Sequence, residues 1–235
     1  MLAATLAARG DDAVLSYAGR VASPKAQPIP VRVGGFGGVD GLVSYLREHG
    51  VTHLVDATHP FAARMSGNAV VAAARAGVAH IALTRPAWSP VVGDRWTHVA
   101  DIDAAVAALA APARRVMLAL GRMHVDAFAE QPQHAYLLRF VDTPERPPGL
   151  PRHRLVVDRG PFDVESDRQL MEAHGIEVVV CKNAGGTGAS AKLHAARALG
   201  LPVIMIDRPA LPARREVHAV ADVMLWLDHG ADRGV

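Results

Sequence analysis

The residues best suited to chemistry lie in a glycine-rich segment, VVCKNAGGTGASAKLHAARALG, at residues 179–200. Its pattern predicts a strand, a tight turn and a helix. Backbone amides at a helix N-terminus favour an anion, and Lys182 and Lys192 add positive charge. The segment therefore indicates an anion-binding loop, with a tight turn carrying solvated lysines as the alternative.

Two nucleotide-binding motifs are partly matched by this segment. A phosphate loop needs a glycine before its lysine and a Ser or Thr after it, whereas this chain has Ala191 and Leu193 there. ATP is therefore disfavoured. The dinucleotide fingerprint keeps its spacing from Gly186 to Ala191, and Asp207 follows at the expected distance of about 20 residues. That second interpretation stays open.

A second candidate loop is DATHPFA, Asp56 to Ala62. Pro60 fixes its own φ and biases His59 to an extended conformation, so Thr58 and His59 are expected to project from the end of a strand. His59 is then a candidate acid or base. The alternative is a histidine that only makes structural hydrogen bonds.

Two further loops are typical of cofactor binding. Arg20 follows a predicted strand, where nucleotide-binding sheets contact the adenosine ribose, and an arginine there favours the 2′-phosphate of NADP. A surface arginine is the alternative. The GGFGG turn at residues 34–38 permits close approach of a ligand to the backbone, or serves as a flexible turn.

Other chemistries find no support in the residue pattern. The twelve histidines show no metal-ligand spacing, so no metal site is predicted. No tyrosine is followed four residues later by lysine, and no Gly-x-Ser-x-Gly elbow occurs. Several arginines instead stand singly after apolar segments, which suits recognition of separate carboxylates.

Composition limits where these loops can act. Half of the 235 residues are hydrophobic, the formal net charge is +2, and Cys181 is the single cysteine. No apolar run approaches the roughly 18 residues of a membrane span, and no basic run favours nucleic acid. A lone cysteine fits a reducing compartment. We therefore expect a cytoplasmic protein with no membrane or nucleic-acid partner.

Short apolar segments alternate with helical patterns along the chain, which predicts parallel sheets with crossover helices. The predicted strands are 13–17, 29–33, 53–55, 80–83, 115–119, 135–140, 155–157, 177–180 and 203–206. The predicted helices are 39–49, 62–76, 102–110, 125–130, 164–174, 189–199 and 221–227. Ligands of such sheets bind beyond the carboxyl ends of the strands.

The chain also contains an internal repeat. DATHPFAARMSGNAVVAAARAGVAHIALTRPAW aligns without gaps with VVCKNAGGTGASAKLHAARALGLPVIMIDRPAL, so that Arg85 falls on Arg208. A second pair, HVADIDAAVAAL and HAVADVMLWL, follows in the same order, each with an aspartate (Asp101 and Asp222) expected as a helix N-cap. Two repeats in order predict two similar α/β halves with a boundary between Trp88 and Asp101.

Several loops together resemble the precorrin-6A reductase family, which includes cobalt-precorrin-6A reductases. The resemblance runs from Tyr17 to Trp226 and rests on YAGR, VRVGGFGG, DATHPFA, RPAW, GR, RGPF, KNAGG…AKLHAAR and VIMIDRP. It implies an α/β protein with two Rossmann-like parallel-sheet domains facing a cleft, divided as 1–95 (cofactor side) and 96–235 (substrate side). It also implies NADPH as the cofactor and precorrin-6A, a polycarboxylate tetrapyrrole of cobalamin biosynthesis, as the substrate.

The resemblance carries residue roles with it. His59 and Lys182 are the catalytic candidates, and either of them or water is expected to supply the proton. Cofactor-binding candidates are Tyr17, Gly19, Arg20, Gly34, Gly35, Phe36, Gly37, Thr58, His59 and Pro60. Substrate-binding candidates are Arg122, Arg159, Gly160, Lys182, Asn183, Gly185, Gly186, Lys192 and Arg208. We expect a monomer that hands its product transiently to neighbouring pathway enzymes.

One departure concerns the start of the chain. Members of the resembled family begin with an apolar strand and a Gly-Gly-Thr-x-Glu-like loop, whereas this chain begins with MLAATLAARG, which looks like the helix after that loop. We expect the DNA just upstream to encode that strand and loop in frame. Two other functions remain open: a tetrapyrrole methyltransferase-like enzyme with a sulfonium cofactor, and a non-catalytic tetrapyrrole-binding protein.

Overall fold

The computed structural model describes residues 1–18, 26–158, 160 and 162–231. The strands are β1 (Leu15–Tyr17), β2 (Val31–Val33), β3 (His53–Asp56), β4 (Ala79–Leu83), β5 (Arg95–Val99), β6 (Arg115–Ala119), β7 (Ala135–Phe140), β8 (His153–Val157), β9 (Val178–Lys182), β10 (Pro202–Ile206) and β11 (Glu216–Val217). The helices are α1 (Leu2–Arg9), α2 (Gly38–Glu48), α3 (Ala63–Ala76), α4 (Ile102–Ala107), α5 (Val164–Ala173), α6 (Ala191–Ala198) and α7 (Val220–Ala231), with a 3-10 helix at Val125–Glu130.

The chain forms two compact units. The first unit contains Met1–Thr84 and the segment from Ala210 onward, and the second contains Arg85–Pro209. All described strand pairs are parallel. The predicted α/β class with parallel sheets is confirmed, because crossover helices let each strand return in the same direction.

The second unit is built on a six-stranded sheet in the order β5-β10-β9-β6-β7-β8. Its central strands are continuous apolar runs because helices cover both faces of such a sheet. Met117, Val179 and Met205 on these strands are fully buried, and Leu193 of α6 packs into the same cluster. Burial of each large side chain contributes about 1.5–3 kcal/mol to the stability of the fold. The sheet is therefore a stable base for the loops that project from its edge.

The first unit carries two smaller sheets, β1-β2 and β11-β4-β3. Helices α2 and α3 pack on each other through Leu42, Leu46, Ala69 and Ala72, all almost fully buried. Small alanines on α3 allow the two helices to pack closely. The turn before α2 and the loop before α3 therefore begin from a well-packed helix pair.

Most predicted elements are confirmed, with ends shifted by no more than four residues. Strands β5 and β11 were not predicted, since β5 is half exposed and β11 has only two residues. Asp101 caps α4 as predicted, accepting a hydrogen bond of 2.8 Å from the Ala104 amide. The cap prediction for Asp222 is wrong, because that residue lies inside the first turn of α7.

The grouping of the chain differs from the predicted division at residue 95. Strand β11 pairs with β4, so that Glu216 faces Ala82 and Val217 faces Leu83, and the Thr84 amide donates to Val217 O at 2.9 Å. The C-terminal segment therefore belongs with the first unit. The chain passes between the units twice, at Thr84–Arg85 and at Pro209–Ala210.

Those two crossings lie within two residues of equivalent places in the internal repeat. A shift of 123 residues, the separation of Arg85 and Arg208, carries β4 onto β10 over their whole length. Units β3-α3-β4 and β9-α6-β10 both pair their strands in parallel. The topology of the two units therefore agrees with the repeat seen in the sequence.

Candidate functional site

The loops that end the strands of the second unit all lie at one edge of its sheet, because the strands are parallel. These loops contain most of the predicted substrate-binding residues: Arg122, Gly160, Lys182, Asn183, Gly185, Gly186 and Arg208. Arg159, which was predicted with them, lies outside the described residues. The sheet thus gathers at one edge residues that are up to 86 positions apart in the sequence, from Arg122 to Arg208.

Asn183 fixes the glycine-rich loop at its start. Its side-chain oxygen accepts a hydrogen bond of 2.8 Å from the Trp88 amide, and its side-chain nitrogen donates to Trp88 O at 2.9 Å. The Trp88 indole in turn donates to Gly186 O at 2.7 Å. Asn183 is buried, and both polar groups of its side chain are used within the protein. Its predicted contact with substrate stays a prediction, while the structure shows it bracing the loop.

Gly185 and Gly186 are required by close approach of the loop to residues 85–86. Both have left-handed φ values, 70° and 72°. A Cβ at Gly185 would lie 2.2 Å from Pro86 O, and a Cβ at Gly186 would lie 2.7 Å from Arg85 Cδ. These glycines therefore serve the packing of the loop on the protein itself, whatever ligand it binds.

Arg208 braces the same loop from the end of β10. Its Nε donates to Asn183 O at 3.0 Å, and its Nη2 donates to Arg85 O at 2.8 Å. Backbone carbonyls thus hold much of the guanidinium. A role for Arg208 in binding substrate carboxylates stays a prediction.

The two lysines of the loop differ in exposure. Lys192 is only 6% exposed, its ammonium donates to Ala189 O, and it lies 4.9 Å from the centre of the Trp88 ring. The alternative of a solvated lysine is wrong for this residue, since its charge is directed into the loop. Lys182 is half-buried at the end of β9, and burial lowers the pKa of its amine.

A cavity of about 310 Å³ lies beside the loop after β6. Its lining includes Arg122, Arg146, Asp126 and Phe140. Close to the ends of β6, β7 and β8 stand three exposed apolar residues, Met123, Val141 and Val157. This edge therefore presents both cations and apolar surface, which suits a large ligand with carboxylates around an apolar ring.

In the first unit, Arg32 shapes the GGFGG turn after β2. Its guanidinium stacks on the Phe36 ring at 3.9 Å and donates to Gly34 O at 2.6 Å and Gly35 O at 2.7 Å. Gly34 and Gly37 have φ values of 126° and 78°, and no atom lies within 4 Å of a Cβ placed on either. The turn is held from one side and open on the other, which fits a surface that a nucleotide approaches closely.

The loop after β3 is organised around the buried carboxylate of Asp56. One oxygen accepts from the Thr58 amide at 3.0 Å and the Thr58 hydroxyl at 2.6 Å, and the other accepts from Arg214 Nη1 at 2.7 Å. Burial by itself raises the pKa of Asp56, but hydrogen bonds from Ser66 and Thr58 and the charge of Arg214 outweigh it and lower the pKa. Asp56 is therefore ionised at neutral pH.

His59 is exposed at this loop, and Pro60 is buried beneath it. The His59 Nδ1 lies 3.2 Å from the Phe61 amide and accepts its hydrogen. A neutral His59 ring consequently carries its proton on Nε2, which is the tautomer that can donate from the exposed side. Tyr17 ends β1, whereas Gly19 and Arg20 lie outside the described residues.

Sequence reasoning missed three residues that hold these loops: Arg32, Trp88 and Arg214. Arg32 sits within a strand pattern, and Arg214 contacts a residue 158 positions away, so neither gives a local signal. Trp88 had one, because it stands beside the repeated Arg-Pro-Ala segment. Within the described ranges, no cluster of three His, Cys, Asp or Glu residues suited to a metal ion occurs, and no helix is long and apolar enough to cross a membrane.

The fold defines an α/β protein whose candidate loops lie at the carboxyl ends of parallel strands, the edge at which such sheets bind ligands. Comparison with known proteins makes the class specific. The chain belongs to the family described as precorrin-6x reductase CbiJ/CobK, whose model matches residues 1–228.

Two relatives and one solved structure agree with this family. The chain is 59% identical to a precorrin-6A reductase of Rhodobacter capsulatus, covering 100% of this chain and 94% of the relative. It is 48% identical to a precorrin-6A reductase of Sinorhizobium sp, covering 84% and 76%. A solved CobK precorrin-6A reductase is 57% identical with a TM-score of 0.91, covering 97% of this chain and 91% of that one.

Proposed function

We propose that this protein reduces precorrin-6A to precorrin-6B by hydride transfer to the C18–C19 double bond of the macrocycle. The observation that carries the proposal is the match to precorrin-6A reductases at 59% identity over the whole chain. The cation-bearing edge of the six-stranded sheet supports it, because the substrate is a polycarboxylate.

A reductase of this family needs a nicotinamide cofactor, and we propose NADPH. When bound, NADPH supplies the hydride. The turn at Gly34–Gly37 and the loop of Thr58, His59 and Pro60 would hold it, since both follow parallel strands. A Cβ placed on Gly34 or Gly37 would also meet no other described atom within 4 Å. Tyr17, Gly19 and Arg20 complete the proposed set, with Arg20 contacting the 2′-phosphate.

We assign the substrate carboxylates to Arg122 and Lys182 at the ends of β6 and β9, together with Arg159, which lies outside the described residues. Gly160, Gly185 and Gly186 allow the macrocycle to approach the backbone there, while Asn183, Lys192 and Arg208 contribute by holding the loop. Orientation of two rigid rings supplies most of the catalysis, because a well-placed pair of reactants avoids several kcal/mol of entropic cost, about 7–11 in favourable cases.

Hydride addition to one carbon requires a proton on its neighbour. Two groups of this chain can deliver it. Lys182 has an amine whose pKa is lowered by burial, so that it releases a proton more readily than an exposed lysine. His59 offers its Nε2–H in the tautomer that the Phe61 amide selects.

The test is turnover by the purified protein. We expect precorrin-6A to cause oxidation of NADPH and to gain two hydrogens by mass spectrometry, with NADH a much poorer donor. Binding of S-adenosylmethionine with methyl transfer would instead identify a methyltransferase. Tight binding of precorrin-6A without NADPH oxidation would identify a tetrapyrrole carrier. Either result overturns the proposal.

We further propose that the protein acts as a monomer in the cytoplasm and passes its product transiently to neighbouring pathway enzymes. Sedimentation of the purified protein tests the monomer. A mass of two chains or more at working concentration contradicts it.

A further inference from the structure

We propose that Arg214 is a positioning residue that sets the conformation of the Thr58–His59 loop through the carboxylate of Asp56. The inference rests on the proposed function in one respect, since it takes that loop to contact the nicotinamide cofactor. The contacts that carry it lie within the first unit.

Arg214 reaches the loop from the opposite end of the chain. It lies two residues before β11, whose pairing with β4 brings the C-terminal segment back to the first unit. There its Nη1 donates to Asp56 Oδ2 at 2.7 Å, and its Nε donates to Glu216 Oε1 at 3.0 Å. Glu216 is the first residue of β11, so the guanidinium is oriented by the strand that delivers it.

The ion pair between Arg214 and Asp56 is buried. Their side chains are 6% and 3% exposed. A buried carboxylate that lost its cation would be left uncompensated in a medium of low dielectric, so its orientation depends strongly on that partner. An exposed ion pair orients its carboxylate much less strongly, because solvent screens the two charges.

Asp56 in turn fixes the backbone of the loop through its hydrogen bonds to Thr58. The oxygen that does not face Arg214 accepts the Thr58 amide at 3.0 Å and the Thr58 hydroxyl at 2.6 Å. The hydroxyl also lies 3.2 Å from Ser66 Oγ in the first turn of α3. Thr58 is thus fixed between the carboxylate and the helix, and His59 follows it immediately.

His80 completes the surroundings of the pair. Its Nε2 is buried and, among the described residues, has no hydrogen-bond partner. Burial lowers the pKa of His80, with Asp56 raising it and Arg214 lowering it further. The ring is therefore neutral at physiological pH and does not replace the positive charge that Arg214 places beside Asp56.

The decisive experiment measures the loop without any ligand. In Arg214→Met we expect the amides of residues 57–62 other than Pro60, which has no amide hydrogen, to exchange with deuterium about tenfold faster than in the wild type, because the Thr58 amide loses a fixed acceptor. The affinity for NADPH should fall by about tenfold or more, with a smaller change in kcat. Arg214→Lys keeps a cation that reaches Asp56 and should restore most of both.

Arg9→Met is the matched control. It removes the same side chain from a pair in the same unit, Arg9 with Asp228 at 2.6 Å, which joins α1 to α7 but is exposed. We expect this variant to leave exchange at 57–62 and NADPH affinity unchanged. Equal acceleration in both variants, or acceleration that extends equally to α6 of the second unit, would show general destabilisation and overturn the inference.

A folding defect in Arg214→Met does not end the test. The double variant Asp56→Asn with Arg214→Met removes both buried charges together, and its residues 57–62 should still exchange faster than in the wild type. Wild-type exchange in the folded variants refutes the positioning role. Failure of the wild type to oxidise NADPH with precorrin-6A would refute the proposed function alone, since exchange is measured without ligand.

Discussion

Individual residues at the strand ends divide into those that line a cavity and those that hold a loop. Asn183, Lys192 and Arg208 all carry groups suited to binding carboxylates, yet their polar atoms meet backbone groups of the protein. Arg122, by contrast, lines a cavity. Residue type and spacing placed these residues in loops at strand ends, as the structure has them, but the direction of a side chain depends on neighbours that are distant in sequence.

Gly185 gives a direct test of loop packing. Gly185→Ala should destabilise the protein by about 2–4 kcal/mol, because the new Cβ meets Pro86 O and the backbone is left-handed. Gly188→Ala is the control in the same loop, since it has neither a left-handed φ nor an atom within 4 Å of its Cβ. Its effect should stay within about 0.5 kcal/mol. Urea unfolding measures both, and equal effects would contradict this account of the turn.

Lys182 gives a test of the proton donor. A general acid must be protonated, so if Lys182 donates, kcat falls as pH rises through the lowered pKa of its amine. Lys182→Arg keeps the charge but does not titrate in this range, and the variant should lose that fall along with most of its activity. The pH profile of kcat in Lys182→Arg and His59→Gln decides between the two groups. An unchanged profile in Lys182→Arg assigns the proton elsewhere.

At the scale of elements, the two copies of the βαβ repeat share their strands and helices but differ in how their helices begin. A shift of 123 residues places β4 on β10 and makes β3 and α3 overlap β9 and α6. The two aspartates of the second repeat nevertheless have different roles: Asp101 caps α4, whereas Asp222 lies within α7. Local propensity is shared between the copies. The residue at which each helix begins depends on the segment that precedes it.

The caps allow a paired test. Asp101→Ala should cost about 1 kcal/mol, since it removes the hydrogen bond to the Ala104 amide at 2.8 Å. Asp222→Ala removes only an acidic residue from the first turn of α7 and should cost about 0.3–1 kcal/mol, less at high salt. Thermal unfolding at low and high salt separates the two. A salt-sensitive loss at Asp101 equal to that at Asp222 would argue against a capping role.

Periodicity was enough to predict nine of the eleven strands in the described part of the chain, because buried parallel strands are short apolar runs between helices. Strand β11 escaped this reasoning since two residues carry no periodicity, and β5 because its residues are half exposed. The predicted glycine and histidine loops do follow strands. Arg214 was beyond reach, because its role depends on a pairing between residues 158 positions apart.

At the scale of the whole molecule, the first unit depends on both ends of the chain. Strand β4 pairs with β3 on one side and β11 on the other, and Val223 of α7 is fully buried. The second unit is continuous in sequence, from Arg85 to Pro209. Loss of the C-terminal segment should therefore affect the two units unequally.

A chain that stops at Pro209 tests this expectation. Deuterium exchange should rise throughout α3 and residues 57–62, because β4 loses a neighbour and Asp56 loses Arg214. Exchange in β9 and β6 should stay close to that of the full chain. Retained protection in α3 would show that the first unit does not need the segment, and lost protection in β9 would show that the second unit is not independent.

The double crossing also bears on how the protein folds as it is synthesised. A nascent chain emerges from its N-terminus, so domains usually complete in the order of the sequence. Here the residues that finish the first unit, including β11 and Arg214, leave the ribosome after the whole of Arg85–Pro209. The second unit can therefore fold first. Until β11 is synthesised, residues Met1–Thr84 of the first unit leave β4 exposed along one edge. An exposed edge strand is a site of wrong pairing, so β11, which is translated after the second unit, protects β4 against such pairing.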